Sequence, residues 1–229
     1  MTAPAQILSA APARTGVERA TLVRRTYGLV LVGVIVTMLG VALAISQPSL
    51  ILFSAQHPFI TFLGGFMLPL WLAQRWHTEF PRNIGLTLLA MLGAGVMLAP
   101  ALLFAERAQP GIVSQAGILT FATFGSLTVY AAVSRRDFSA WGGFFFVGLM
   151  VLLVTSVLNI FFQNQTASLW IAGATVLVFG GLLVFDTWRI LRTDTYGPDD
   201  YVLAAVQIYL DLLNIFLAIL RLLGGNRRS

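Results

Sequence analysis

The sequence predicts an all-α membrane protein with seven transmembrane helices. Three observations carry that expectation. First, 58% of the 229 residues are hydrophobic and only 10% are charged, against about 25% charged in a soluble domain. Second, the apolar residues gather into seven runs, at about 26–46, 58–74, 83–105, 112–133, 141–162, 168–190 and 203–223. Each run is near the ~20 residues that cross a hydrocarbon core at ~1.5 Å per residue. Third, every break between runs carries turn or charge signals: Gln47-Pro48, His57-Pro58, Arg75 to Arg82 with Pro81, Glu106 to Gly111, Arg135-Arg136-Asp137, Gln163-Asn164-Gln165, and Thr193 to Asp200 with Gly197-Pro198.

The elements follow in order. Residues 1–22 are rich in Ala and Pro with scattered Arg and read as a flexible tail. They lack an apolar stretch ending in a cleavage site, so the first helix is expected to serve as its own uncleaved insertion signal. Residues 23–225 form a single transmembrane domain, and residues 226–229 a short polar end. Pro69 and Pro100 are potential kinks in the second and third helices. The glycines within spans (Gly64-Gly65, Gly93, Gly95, Gly142-Gly143, Gly180-Gly181) read as close-packing positions, because small residues let backbones approach in lipid. Trp71, Trp76, Trp141, Trp170 and Trp188 fall near helix ends, as the interfacial aromatic belt requires.

The formal net charge is +5, and all 14 basic residues are arginine. Arg14, Arg19, Arg24, Arg25, Arg75, Arg82, Arg135, Arg136, Arg189 and Arg192 fall on the side of the N-terminus, and Arg107 on the other. This is the positive-inside pattern, so the partner implied is a lipid bilayer rather than nucleic acid, and the N-terminus is expected in the cytoplasm. Seven spans put the C-terminus outside. The terminal Arg227-Arg228 pair pulls the other way, and a last segment that enters and returns would satisfy it.

Composition and motif exclude much chemistry. The chain has no cysteine, which removes disulfides and thiolate sites. His57 and His77 fall on opposite membrane sides, so they cannot share a metal. There is no His-Glu-x-x-His, no Gly-x-Ser-x-Gly and no phosphate loop ending in Lys. The residues before Asp211 are Ile208-Tyr209-Leu210, without the Gly-x-Gly-Asp of intramembrane aspartyl proteases. No enzymatic activity and no cofactor are expected.

What remains is a pair of acids where acids are costly. Asp186 lies four residues from the cytoplasmic end of the sixth run, and Asp211 about eight residues into the seventh from the same side. A carboxylate at mid-bilayer depth costs roughly 2.5–3.5 kcal/mol and is by default a functional-site hypothesis. The connecting loop is short, so the helices are antiparallel neighbours and the carboxyls lie at similar depth. Gln207, Asp211, Asn214 and Arg221 share one face of the last helix. Two carboxyls in contact in low dielectric cannot easily both ionise and hold one shared proton. Loss of that proton would drive the helices apart or admit a cation such as Ca²⁺, which takes oxygen ligands. A static ion pair is the competing arrangement: Arg189 is three residues from Asp186, a helical pairing distance, and Arg75 could approach Asp211.

Three stretches resemble the Bax-inhibitor family of transmembrane Bax-inhibitor-motif proteins, its bacterial members most: Tyr130-Ala-Ala-Val-Ser-Arg-Arg-Asp-Phe-Ser-Ala-Trp141, Gly181-Leu-Leu-Val-Phe-Asp-Thr187, and Ile208-Tyr-Leu-Asp-Leu-Leu-Asn-Ile-Phe216 with Leu220-Arg-Leu-Leu-Gly224. The resemblance covers residues 110–225 by motif and the N-terminal half by helix count and size. It implies a central C-terminal helix surrounded by the other six, in the bacterial inner membrane. It implies a pH-sensitive calcium leak, with Asp186 and Asp211 as the pH sensor and transient Ca²⁺ ligands, and Ca²⁺ as the transported ion. It also implies an arginine ending the second helix that closes on the pair, with Arg75 or Arg82 as the match. Where the family often has Gln after its Asp-Thr, this chain has Trp188. The alternatives are a non-conducting membrane regulator, such as a stress or cell-death modulator that binds other membrane proteins, and a proton-coupled small-solute carrier.

Overall fold

The computed structural model describes residues 16–76, 79–197 and 199–225. The described residues are helical, without a strand. The helices are α1 (Gly16–Ser46), α2 (Pro48–Gln56), α3 (Pro58–Arg75), α4 (Arg82–Ala108), α5 (Ile112–Val133), α6 (Ser139–Phe162), α7 (Gln165–Arg192) and α8 (Tyr201–Gly225). Six of them, α1 and α4–α8, are long and apolar enough to cross a membrane. The second apolar run is different. The run itself, 58–74, is α3, and the stretch before it, expected as a break, holds α2; the two pass together as one span only across a 97° bend at His57-Pro58. Pro58 cannot donate a backbone hydrogen bond and begins a new helix. The bend is therefore at Pro58. Within α3, Thr61–Met67 around the Gly64-Gly65 pair is wound as π-helix.

One boundary moves. The helix α1 starts at Gly16, so residues 16–22, expected as tail, are helical. Leu22 is buried there and Arg19 pairs with Asp194 at 3.4 Å, which gives this extra stretch a tertiary anchor that composition does not announce. The rest of the 1–22 tail and the 226–229 end, with Arg14, Arg227, Arg228 and also His77, lie outside the described residues.

Local chemistry explains the other ends. Gly111 takes φ 83° before α5, and the Glu106 carboxylate accepts Gly111 N–H at 2.6 Å and Val113 N–H at 3.2 Å. An anion there satisfies orphan donors and meets the positive end of the helix dipole. Asn164 caps α7 by accepting Ala167 N–H at 2.9 Å. Arg189 and Arg192 fill the last turn of α7, the favoured place for cations.

The core follows α8, the most buried of the six long helices. It packs against α7, α1, α5 and α4, and its Val206 and Tyr209 join Phe66 and Leu70 of α3. Lipid tails are as apolar as leucine, so close backbone approach rather than water exclusion holds such helices. Gly40 of α1 faces Leu92 and Gly95 of α4, and Gly93 of α4 faces the Gly65 backbone of α3. Thr37 and Tyr209 add a 2.7 Å hydroxyl bond from α1 to α8. By contrast α6 packs on α7 and buries only Leu152. The expected ring of six is thus interrupted beside α6, and a crevice reaches α8 there.

Candidate functional site: a buried carboxyl pair

Short helical spacing and one tight connection build the site. Asp186 on α7 and Asp211 on α8 are both buried, at 8% and 4% exposure. The two helices pack along each other, and both aspartates face one cavity. The expectation rests on matching depths, and the two residues do line the same cavity. They line a cavity of about 540 Å³ between α6, α7 and α8. Its walls are mostly apolar or small, including Gly142, Gly143, Phe146 and Leu182. The polar groups Ser139, Asp186, Arg189, Gln207 and Asp211 face into it.

The carboxyls have unequal surroundings. Arg189 Nη1 donates to Asp186 Oδ1 at 3.2 Å, so the ion pair weighed from spacing is formed. Asp211 Oδ2 is buried without a hydrogen-bond partner among the described residues. Buried polar atoms in folded proteins are nearly always satisfied, so such an orphan calls for an explanation. A shared proton or a passing cation would each supply one.

The remaining candidates are placed as follows. Arg75 is exposed and lies over the Trp71 ring at 5.7 Å. Arg82 is exposed and pairs with Glu79 at 3.1 Å. Neither is brought to the aspartates in this structure, where Arg189 holds that position from α7 itself. Asn214 Nδ2 donates back to Leu210 O at 2.8 Å on its own helix. Gln207 is not turned to the aspartates: its Oε1 accepts the Tyr196 hydroxyl. Trp188, the departure from the family pattern, stacks on Phe185 at 6.1 Å and meets Phe138 edge-on at 6.4 Å.

Tyr196 is the residue that sequence reasoning missed. It belongs to a polar loop read only as a turn, yet it is 2% exposed, and its ring lies 5.1 Å from the Arg189 guanidinium. An aromatic alone among Thr, Asp, Gly and Pro was the available signal. Burial pushes its phenol well above the ordinary tyrosine range, so it stays a donor.

Two carboxyl groups offer at most four oxygens, fewer than the 6–8 that Ca²⁺ takes. No group of three His, Cys, Asp or Glu side chains gathers among the described residues. A divalent cation here would therefore retain waters and be held weakly. The ion pair itself is open to test. Arg189→Met keeps the stem but strands the Asp186 carboxylate. The expected loss is about 1–3 kcal/mol, between the limits for exposed and fully buried pairs, read as a lower thermal midpoint in detergent that Asp186→Asn largely restores.

These features define a multi-pass helical membrane protein with a carboxyl pair in its interior. The chain belongs to the Bax inhibitor family: the family described as "Inhibitor of apoptosis-promoting Bax1" matches residues 19–228. It is similar to the "BI1-like protein" of Arabidopsis thaliana, at 34% identity over 215 residues, covering 88% of this chain and 79% of that one. It is also similar to "Bax inhibitor 1" of Schizosaccharomyces pombe, at 30% over 209 residues, covering 90% and 77%. A membrane protein of Vibrio cholerae matches at 37% over 132 residues, covering 57% and 58%.

Proposed function

We propose that this protein is a pH-sensitive cation leak, with Ca²⁺ as cargo and the Asp186–Asp211 pair as its proton-sharing gate. The observation that carries this reading is the unpartnered Asp211 Oδ2 at a 540 Å³ cavity, beside a second buried carboxyl. With one proton shared, the pair carries a single negative charge, which Arg189 balances. Losing that proton leaves two negative charges in contact. Their repulsion presses α7 and α8 apart, and the uncompensated charge attracts a cation. The α2–α3 pair is one bent crossing in this reading, giving seven spans, an N-terminus in the cytoplasm and residence in a bacterial inner membrane. Gly65 against Gly93 supports it, because it lays α3 alongside α4.

Purified protein in vesicles loaded with a Ca²⁺ dye tests the reading. Flux is expected to rise with pH across about 5–8 as the shared proton leaves the pair. Flux no greater than in protein-free vesicles would remove the channel. It would favour a non-conducting membrane regulator, a reading to which the outward apolar faces of α6 lend support, with Phe144, Phe161 and Phe162 each more than 70% exposed.

A further inference from the structure

One side chain ties together the two helices that carry the pair, and the function above makes no use of it. Tyr196 sits in the connection between α7 and α8. Its hydroxyl donates to Gln207 Oε1 on α8, and its ring packs on the Arg189 guanidinium of α7. Arg189 is one turn beyond Asp186, and Gln207 is one turn before Asp211. The contact therefore spans the same two helices as the carboxyls, one turn nearer the cytoplasmic end. The loop around it is pinned: Gly197 N–H donates to Asp200 Oδ2 at 2.7 Å, Thr193 and Thr195 hydroxyls bond at 2.7 Å, and Arg19 of α1 holds Asp194.

We propose that Tyr196 is a strut that locks the cytoplasmic ends of α7 and α8 together and holds Arg189 on Asp186, so that the cavity widens only when this contact yields. The proposal rests on the gate reading for its purpose but on the Tyr196 contacts for its geometry. The charged and titratable groups that bear electrostatically on the strut are Arg189, which it touches, and Asp186 from α7, Asp211 from α8 and Asp200 from the loop. From α1, Tyr27 stands near the two aspartates, with its hydroxyl 2.9 Å from Thr187. The strut itself is not the titrating part, since its buried phenol keeps its proton. It sets how much separation a given charge on the pair produces.

The absence of cysteine gives a direct test. Gly143 lines the cavity, and a Cβ there meets nothing within 4 Å, so Gly143→Cys places one accessible thiol in the chain. Its rate of reaction with a charged, water-soluble methanethiosulfonate is measured in vesicles at several pH values, with and without Tyr196→Phe. Comparing the two at the same pH cancels the thiol's own ionisation. Tyr196→Phe keeps the ring on Arg189 and removes only the hydroxyl bond. The expected result is a rise of about fivefold at acidic pH, the population shift from one ordinary hydrogen bond. Gln207→Leu should reproduce it, and the double variant should add nothing further, because both remove one bond. Equal rates in Tyr196→Phe and its parent at every pH would overturn the strut, and so would additive increments in the double variant. A parent rate with no pH dependence beyond that of the thiol would instead sink the proton gate, while the variant ratio still judges Tyr196.

Discussion

Replacing Asp211 with asparagine is expected to abolish the pH dependence of Ca²⁺ flux, taking the ratio between pH 8 and pH 5 to about one, because the proposed gate titrates through the proton the two carboxyls share. The substitution is close to isosteric and removes the ionisable group alone. The amide can donate to the Asp186 carboxylate that Arg189 already holds at 3.2 Å. The pair then carries one fixed charge at every pH, and nothing remains to press α7 and α8 apart. Flux should settle at a single low level. A profile that still rises with pH would place the sensor elsewhere. Stability moves independently: Asp211 is 4% exposed and its Oδ2 lacks a partner among the described residues. Relieving an unmet buried acceptor is worth up to about 1–3 kcal/mol. Asp211→Asn is therefore expected to unfold at the same temperature or higher while losing its pH response. A general folding defect cannot produce that combination.

Gly93→Ala is expected to have the largest effect on stability. An added Cβ at Gly93 would stand 1.8 Å from Gly65 O and 2.4 Å from Gly65 C. The obstacle is backbone, so no rotamer change relieves it, and α3 must move off α4. Overpacking against yielding side chains already costs about 1–3 kcal/mol, and this contact should exceed that range. The control is Gly64→Ala, one residue from the contact partner, where a Cβ meets nothing within 4 Å. There the better helix propensity of alanine should be neutral or add up to about 1 kcal/mol. Thermal midpoints in the same detergent compare the two. Equal midpoints would mean that α3 is free to shift against α4 and that the Gly65–Gly93 approach fixes nothing.

Much of the architecture was legible from hydropathy and breakers alone. The predicted runs at 112–133 and 141–162 coincide with α5 and α6 to within two residues, because in lipid every backbone polar group must be met inside its own helix. The second run was less legible. Pro58 was visible as a break, but residues 48–56 read as connection, and hydropathy does not show that they form a helix meeting α3 at 97°. The start of α1 was hidden for another reason: Arg19 and Glu18 look like tail until Asp194 is brought to Arg19.

The sequence by itself determined that this is a helical membrane protein with two acids at matching depth on its last two helices, because an apolar medium makes each charge conspicuous and a short loop forces antiparallel neighbours. Only the tertiary structure decided what surrounds them. Arg75 and Arg82 stay with Trp71 and Glu79 instead of reaching the pair, Tyr196 returns from the loop to join Arg189 and Gln207, and α6 stands off far enough to leave the cavity open. Those outcomes depend on how side chains from distant positions fit at one place, and spacing along a single helix carries no information about that.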